Sequence, residues 1–291
     1  MTAGTAGDGV TARPGAGSVA WRINGERVAV LGWGRAILLQ LAHPLVAAGV
    51  GMHSTFRAGA LAPAVRLHAT VRAMLALTFG AEDVAVGAVA HIRRIHDRVH
   101  GVLSERAGPF DAGTAYSAHD PALLAWVNLT LLDSLPLAYD RFVGPLDDDE
   151  VGRYCRDSEW SALALGARAK DVPRSRAQLR HMLEHELYSG RLAVTPTARD
   201  LARAVLAPPF GRAAGPLGRL HYLASVGWLP PAVREAYGLP WTPRDEAALA
   251  RWSERLRVWS RYAPASARRW RAARRADARD RDVRVTAGPM P

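Results

Sequence analysis

The segment LLQLAHPLVAAGVGMHSTFRAG, Leu38 to Gly59, sets His43, His53 and Arg57 into a run otherwise suited to a core. Imidazole serves as a proton carrier or a metal ligand, and a buried neutral imidazole needs a partner for its nitrogens. A guanidinium holds carboxylates through a two-pronged fork.

A second histidine stands out by position. At helical spacing Ala85, Val89, Ile92, His96 and Leu103 form one narrow stripe, while Arg94, Asp97 and Arg98 fall on the opposite side. His96 is the polar group at the centre of that apolar face, with Arg93 and His100 at its edge. The preceding segment repeats the pattern, because Arg66, Thr70, Ala73 and Leu77 share one helical face. A guanidinium and a hydroxyl at the end of an apolar strip, facing a helix with an inward imidazole, suit a large flat apolar ligand that carries carboxylates. Haem has that chemistry: an imidazole meets its iron, aliphatic residues face the ring and arginines meet the propionates. The plainer alternatives are a satisfied core histidine and an arginine that reaches to solvent.

A competing arrangement lies in HMLEHE, where His181, Glu184 and His185 have the spacing of a reversed zinc-hydrolase motif. No companion site supplies a third ligand, and a solvated helix face explains the same residues. The paired Glu-x-x-His motifs of a di-iron bundle are absent from the sequence.

The elements that must position these groups are helical. The chain has 291 residues, 49% of them hydrophobic, enough to bury a core and too many for a disordered chain. The single cysteine, Cys155, excludes an intramolecular disulfide and points to a reducing, cytoplasmic setting. The stretch MTAGTAGDGVTARPGAGSVA lacks the basic start and apolar centre of a secretion signal. The most apolar window, Val28 to Met52, is broken by Arg35, Gln40, His43 and Pro44, so no transmembrane segment is expected. The net charge is +11, almost all from arginine, and the segment from Pro264 onward holds eight arginines against three aspartates. With no nucleic-acid motif beside it, that segment reads as a solvated helix end and tail, with no specific nucleic-acid partner.

Helix signals recur along the chain, with no sustained two-residue alternation. Pro63 opens a helix that Gly80 stops; Glu82 and Asp83 open the next, expected to run through RVHGVLS to about Ser104. Asp120 caps and Pro121 begins a long helix that Pro136 should kink. Further helices are expected at about 147–165, 174–189, 197–206, 217–225, 231–237 and 244–259. The expected organisation is an N-terminal disordered tail (1–18), a single all-α multi-helix globular domain (19–262) and an Arg-rich helix end and tail (263–291).

LLQLAHPLVAAGV, HSTFRAG, the Arg-x-x-x-Thr of RLHAT, and IHDRVHG followed by YSAHDPALLAWV together resemble the MpaB-like oxygenases, which include the latex-clearing rubber oxygenases. The resemblance runs from about Trp21 to Gly144 and more weakly beyond. It implies a globin-like helical core that binds haem b, with His96 as the proximal iron ligand and Arg66 and Thr70 beside the haem. It places His43, His53 and Arg57 on the lining or propionate side of the pocket, with Arg93, at the edge of the His96 face, a further candidate cofactor contact. The rubber oxygenases use O2 to cleave a polyisoprene double bond; without a secretion signal here, the expected substrate is an apolar small molecule. Two positions depart from the pattern: Asn128 stands in WVNLT where many members have histidine, and Ala69 stands where the rubber oxygenase has a distal lysine. A non-catalytic haem-binding helical protein is the alternative that the Asn128 change leaves open.

Overall fold

The computed structural model describes residues 13–53, 62–207 and 215–287, with backbone alone at 53, 62–67 and 283–287. Among these, fourteen α-helices and one two-stranded hairpin make a single all-α domain. The chain runs α1 (Val19–Gly25), α2 (Gly32–Leu41), α3 (Pro44–His53), α4 (Ala62–Phe79) and α5 (Glu82–His96). After a hairpin of β1 (His100–Val102) and β2 (Ala115–Ser117) come α6 (Pro121–Phe142), α7 (Asp148–Leu165), α8 (Arg176–Tyr188), α9 (Pro196–Leu206) and α10 (Gly215–Gly227). Last are α11 (Pro231–Ala236), α12 (Pro243–Tyr262), α13 (Ala265–Arg268) and α14 (Arg271–Ala287).

Local chemistry sets most of these boundaries. Asp120 accepts from the Ala122 N–H and Pro121 fills the first turn of α6. At α7, Asp147 and Glu150 bond each other's backbone N–H in a capping box, and Gly166, at φ 113°, closes the helix. Thr242 and Asp245 form the same box at α12. The α6 helix continues through Pro136 to Phe142.

The core forms where α2 crosses α6 and α10. Two glycines permit the approach: a Cβ on Gly32 would stand 2.5 Å from the Ser134 carbonyl oxygen, and one on Gly34 would overlap the Ser225 side chain. Leu38, Leu39, Leu41, Leu132, Phe142, Leu223 and Val226 are fully buried there. Arg35, buried with them, pairs with Asp133 at 2.5 Å, donates to Ser134 Oγ at 2.7 Å and donates to the Trp228 carbonyl at 2.8 Å. Its charge therefore fastens α2 to α6 and to the end of α10. The α6 helix is long and apolar enough to cross a membrane, and the α2–α3 pair, bent by 106°, passes the same test as a broken span. In this fold α6 is the core helix, with 56% of its apolar window buried.

Two expectations change. The α5 helix stops at His96, and Asp97 begins a turn into the hairpin, so Leu103 leaves the helical stripe and packs with Leu45 and Tyr116. Gly101 permits the strand pairing: a Cβ there would stand 2.7 Å from the Tyr116 hydroxyl and 2.9 Å from its ring.

The Arg-rich segment, expected as a solvated helix end and tail, forms α13 and α14 and packs on α1 and α4. Ala273 and Ala276 are buried against Trp21 and Phe79, Trp21 Nε1 donates to Asp277 at 2.6 Å, and Arg279 donates to the Phe79 carbonyl at 2.7 Å. Within the segment drawn as the N-terminal tail, Arg13 bonds the Leu77, Thr78 and Gly80 carbonyls at the end of α4. Cations at a helix C-terminus satisfy its orphan carbonyls and its dipole together.

Candidate functional site

A cavity of about 590 Å³ lies between α2, α4, α5, α6, α7 and α10. That is within the roughly 300–1,000 Å³ of small-molecule and cofactor sites. Its walls are mostly aliphatic, supplied by Ile37, Leu41, Val50, Met74, Leu77, Ile92, Val127, Leu131 and Leu135 among others. No described lining residue carries a carboxylate, a guanidinium or an ammonium.

The two helical faces inferred from spacing meet at this cavity. The α4 helix contributes Thr70, Ala73 and Leu77, and α5 contributes Ile92 and His96. Asn128, on α6, lines the same space. His96 Nδ1 is buried with no hydrogen-bond partner, and so is the Asn128 amide nitrogen. Burial first, then the neighbouring His119, lowers the His96 pKa, with Asp97 opposing them. The imidazole is thus kept neutral, the form that offers a lone pair to a metal or an acid.

The other predicted residues are placed differently. His43 caps the start of α3, where its carbonyl accepts from Ala47 N, and its ring packs on Phe110 with centroids 5.3 Å apart. It is 5% exposed and does not line the cavity; burial lowers its pKa to about 4, helped by Arg191 and opposed by Asp120. Arg93 is exposed on the outer side of α5, away from the cavity lining. Arg57 lies outside the described residues, as do the side chains of His53 and Arg66. His181, Glu184 and His185 are all exposed on α8, and among the described residues no group of three His, Cys, Asp or Glu could hold a metal ion. The hydrolase arrangement therefore has no site among them.

Several cavity residues were not singled out from the sequence. His221, on α10, is a second imidazole in the wall; its Nε2–H donates to the Val205 carbonyl at 2.9 Å, and burial lowers its pKa. The signal that marked His96, a histidine in an apolar helical stripe, was present in LGRLHYLASVG as well. Gln40 lines the cavity and donates to Thr130 Oγ1 at 3.0 Å, while the Trp33 indole N–H is buried without a partner. Asn24, Thr78, Tyr154, Ser158 and Ser161 form a polar wall contributed by α1, α4 and α7. Nothing local in the sequence ties residues 24, 78 and 154 together.

No curated protein and no solved structure matches the chain. The family model described as "ER-bound oxygenase mpaB/B'/Rubber oxygenase, catalytic domain" matches residues 21–262, the span from α1 through α12 that encloses the cavity. With its cavity helices all inside that match, the chain belongs to the MpaB/rubber oxygenase catalytic-domain family.

Proposed function

We propose that the protein is a haem b-dependent oxygenase that uses O2 on an apolar small molecule inside this cavity, with His96 as the iron ligand. The observation that carries the reading is His96, which lines a large uncharged cavity and whose buried Nδ1 has no hydrogen-bond partner. A buried neutral imidazole left without a partner costs free energy unless a ligand supplies one. A bare metal ion would need several protein ligands, whereas haem brings its own equatorial nitrogens and asks the protein for an axial one. The donor set here, His96 without a partner at Nδ1 and His221 already bonded to the Val205 carbonyl, among mostly aliphatic walls, fits the second case.

When bound, haem would supply the O2 chemistry; the rest falls to the chain. His96, kept neutral by burial, would hold the iron. The aliphatic faces of α4 and α6 would sandwich apolar surface and exclude water. Asn128, with a buried N–H lacking an acceptor, and Thr70 would orient oxygen atoms that enter beside the iron. Arg57, which the resemblance assigns to the lining or propionate side, would meet a propionate, and Arg66 would stand with Thr70 beside the haem.

The test is the absorption spectrum of the purified protein, oxidised and dithionite-reduced, beside His96→Ala and His221→Ala. An intense Soret band that His96→Ala abolishes and His221→Ala keeps is the expected result. Loss in His221→Ala alone would move the ligand to α10, and a colourless wild type after haemin addition would sink the haem reading.

A further inference from the structure

The polar groups of the cavity are not scattered. Tyr154 Oη donates to Asn24 Oδ1 at 3.1 Å, and Asn24 Nδ2 donates to Thr78 Oγ1 at 3.3 Å. The relay therefore has a direction and ends at Thr78, whose own O–H proton remains for a ligand. On the next turn of α7, Ser158 Oγ donates to the Tyr154 carbonyl at 2.8 Å. Its proton is thus committed, and its oxygen keeps a lone pair that accepts. This wall offers one donor and one acceptor, the complement of a hydroxyl, which both accepts and donates.

The same wall refuses a charge. Tyr154 is buried and its phenol stays protonated well above the ordinary range, and no described lining residue is cationic. A carboxylate placed here would lose its hydration without gaining a counter-ion.

Its position is equally informative. Thr78 sits in the last turn of α4, and α5 packs against α4 after the short Gly80–Ala81 link. His96, at the far end of α5, therefore lies level with the beginning of α4. At 1.5 Å of helix per residue the hydroxyl-binding wall and His96 are separated by ~15–20 Å. Aliphatic side chains of α6 and α7 line the interval.

We infer that the substrate is a linear apolar molecule ending in an uncharged hydroxyl, which Thr78 and Ser158 hold at one end of the cavity while the apolar chain extends toward His96. The assignment of His96 as the reacting end rests on the proposed function; the anchor rests on the relay alone.

The test is equilibrium binding of labelled tetradecanol, tetradecanoic acid and tetradecane, each presented from cyclodextrin, to the full chain as purified. Tetradecanol should bind at least about tenfold more tightly than the other two, the worth of one well-placed hydrogen bond. Thr78→Val, close to isosteric, should remove most of that preference and leave tetradecane binding unchanged. Ser158→Ala, an exchange that leaves the Asn24 bonds in place, should do the same in part. Equal affinity for acid and alcohol, equal weakening of all three ligands by Thr78→Val, or no binding of any of them would overturn the inference. A missing Soret band with the alcohol preference intact would count against the haem reading and leave the anchor standing.

Discussion

The His96 and His119 rings meet edge to face, with centroids 5.8 Å apart and planes at 78°, and His119 Nε2 in turn bonds Asp97 Oδ1 at 2.7 Å. The β1–β2 hairpin makes this contact, since the pairing of His100 with Ser117 delivers His119 to the end of α5. His96 is thereby buttressed from behind by a ring that is itself held. Groups that orient a metal-bound histidine are typically worth about 10- to 100-fold in affinity. His119→Ala should therefore weaken haemin binding by about tenfold, read by Soret titration, with little change in thermal stability. An unchanged haemin affinity would show that the ring contact does not position His96.

The crossing of α2 and α10 depends on the absence of a single side chain. A methyl group at Gly34 overlaps Ser225, which is fully buried on α10. Gly34→Ala should cost about 1–3 kcal/mol, the usual range for overpacking a core, in urea denaturation. Adding Ser225→Gly removes the overlapping atoms, and should recover part of the loss if the contact is the cause.

His43 should make the fold acid-sensitive. Its pKa is lowered to about 4 in the folded chain, so the unfolded chain binds more protons between that value and the ordinary 6.5 or so. Stability then falls as pH drops through this window and is fully present above it. His43→Leu, which keeps contact with Phe110, should reduce the stability lost between pH 7 and pH 4.5 by roughly 2 kcal/mol. Equal losses in the two proteins would place the acid sensitivity elsewhere.

The α14 helix should be part of the domain's stability. Asp277 takes the Trp21 indole N–H and pairs with Arg269 at 2.6 Å, both groups being only about one-fifth exposed (21% and 18%). Asp277→Ala strands a buried donor and a partly buried guanidinium, and should cost about 1–3 kcal/mol in chemical denaturation. By contrast, the double variant His181→Ala, His185→Ala changes exposed positions, and both its stability and its metal content should match the wild type.

Much of the helical frame was legible because caps are local. Asp120–Pro121 and the Asp147/Glu150 pair announce α6 and α7 within a few residues, and the stripe through Ile92 and His96 points into the cavity as its spacing requires. What was not legible depends on distance along the chain. The hairpin pairs Gly101 with Tyr116, fifteen positions on, and the Tyr154–Asn24–Thr78 relay joins three helices. The arginines of α14 read as a solvated face because the buried face between them is built from alanines, which carry almost no hydrophobic signal. His43 shows the converse: an inward histidine can serve a helix corner as readily as a cavity.

The clamp at the end of α4 also bears on how the chain assembles. Phe79 and Gly80 give their carbonyls to Arg279 and Arg13, and Glu26 pairs with Arg268 across 242 residues of sequence. Contacts of such separation are slow to form, because a long loop must close before they stabilise anything. During synthesis α1 and α4 emerge long before the helix that covers Trp21 and Phe79. Until α14 leaves the ribosome, the Trp21–Phe79 pair lacks its cover from Ala273 and Ala276, and the early-made half of the domain waits, sticky and unfinished, for that helix.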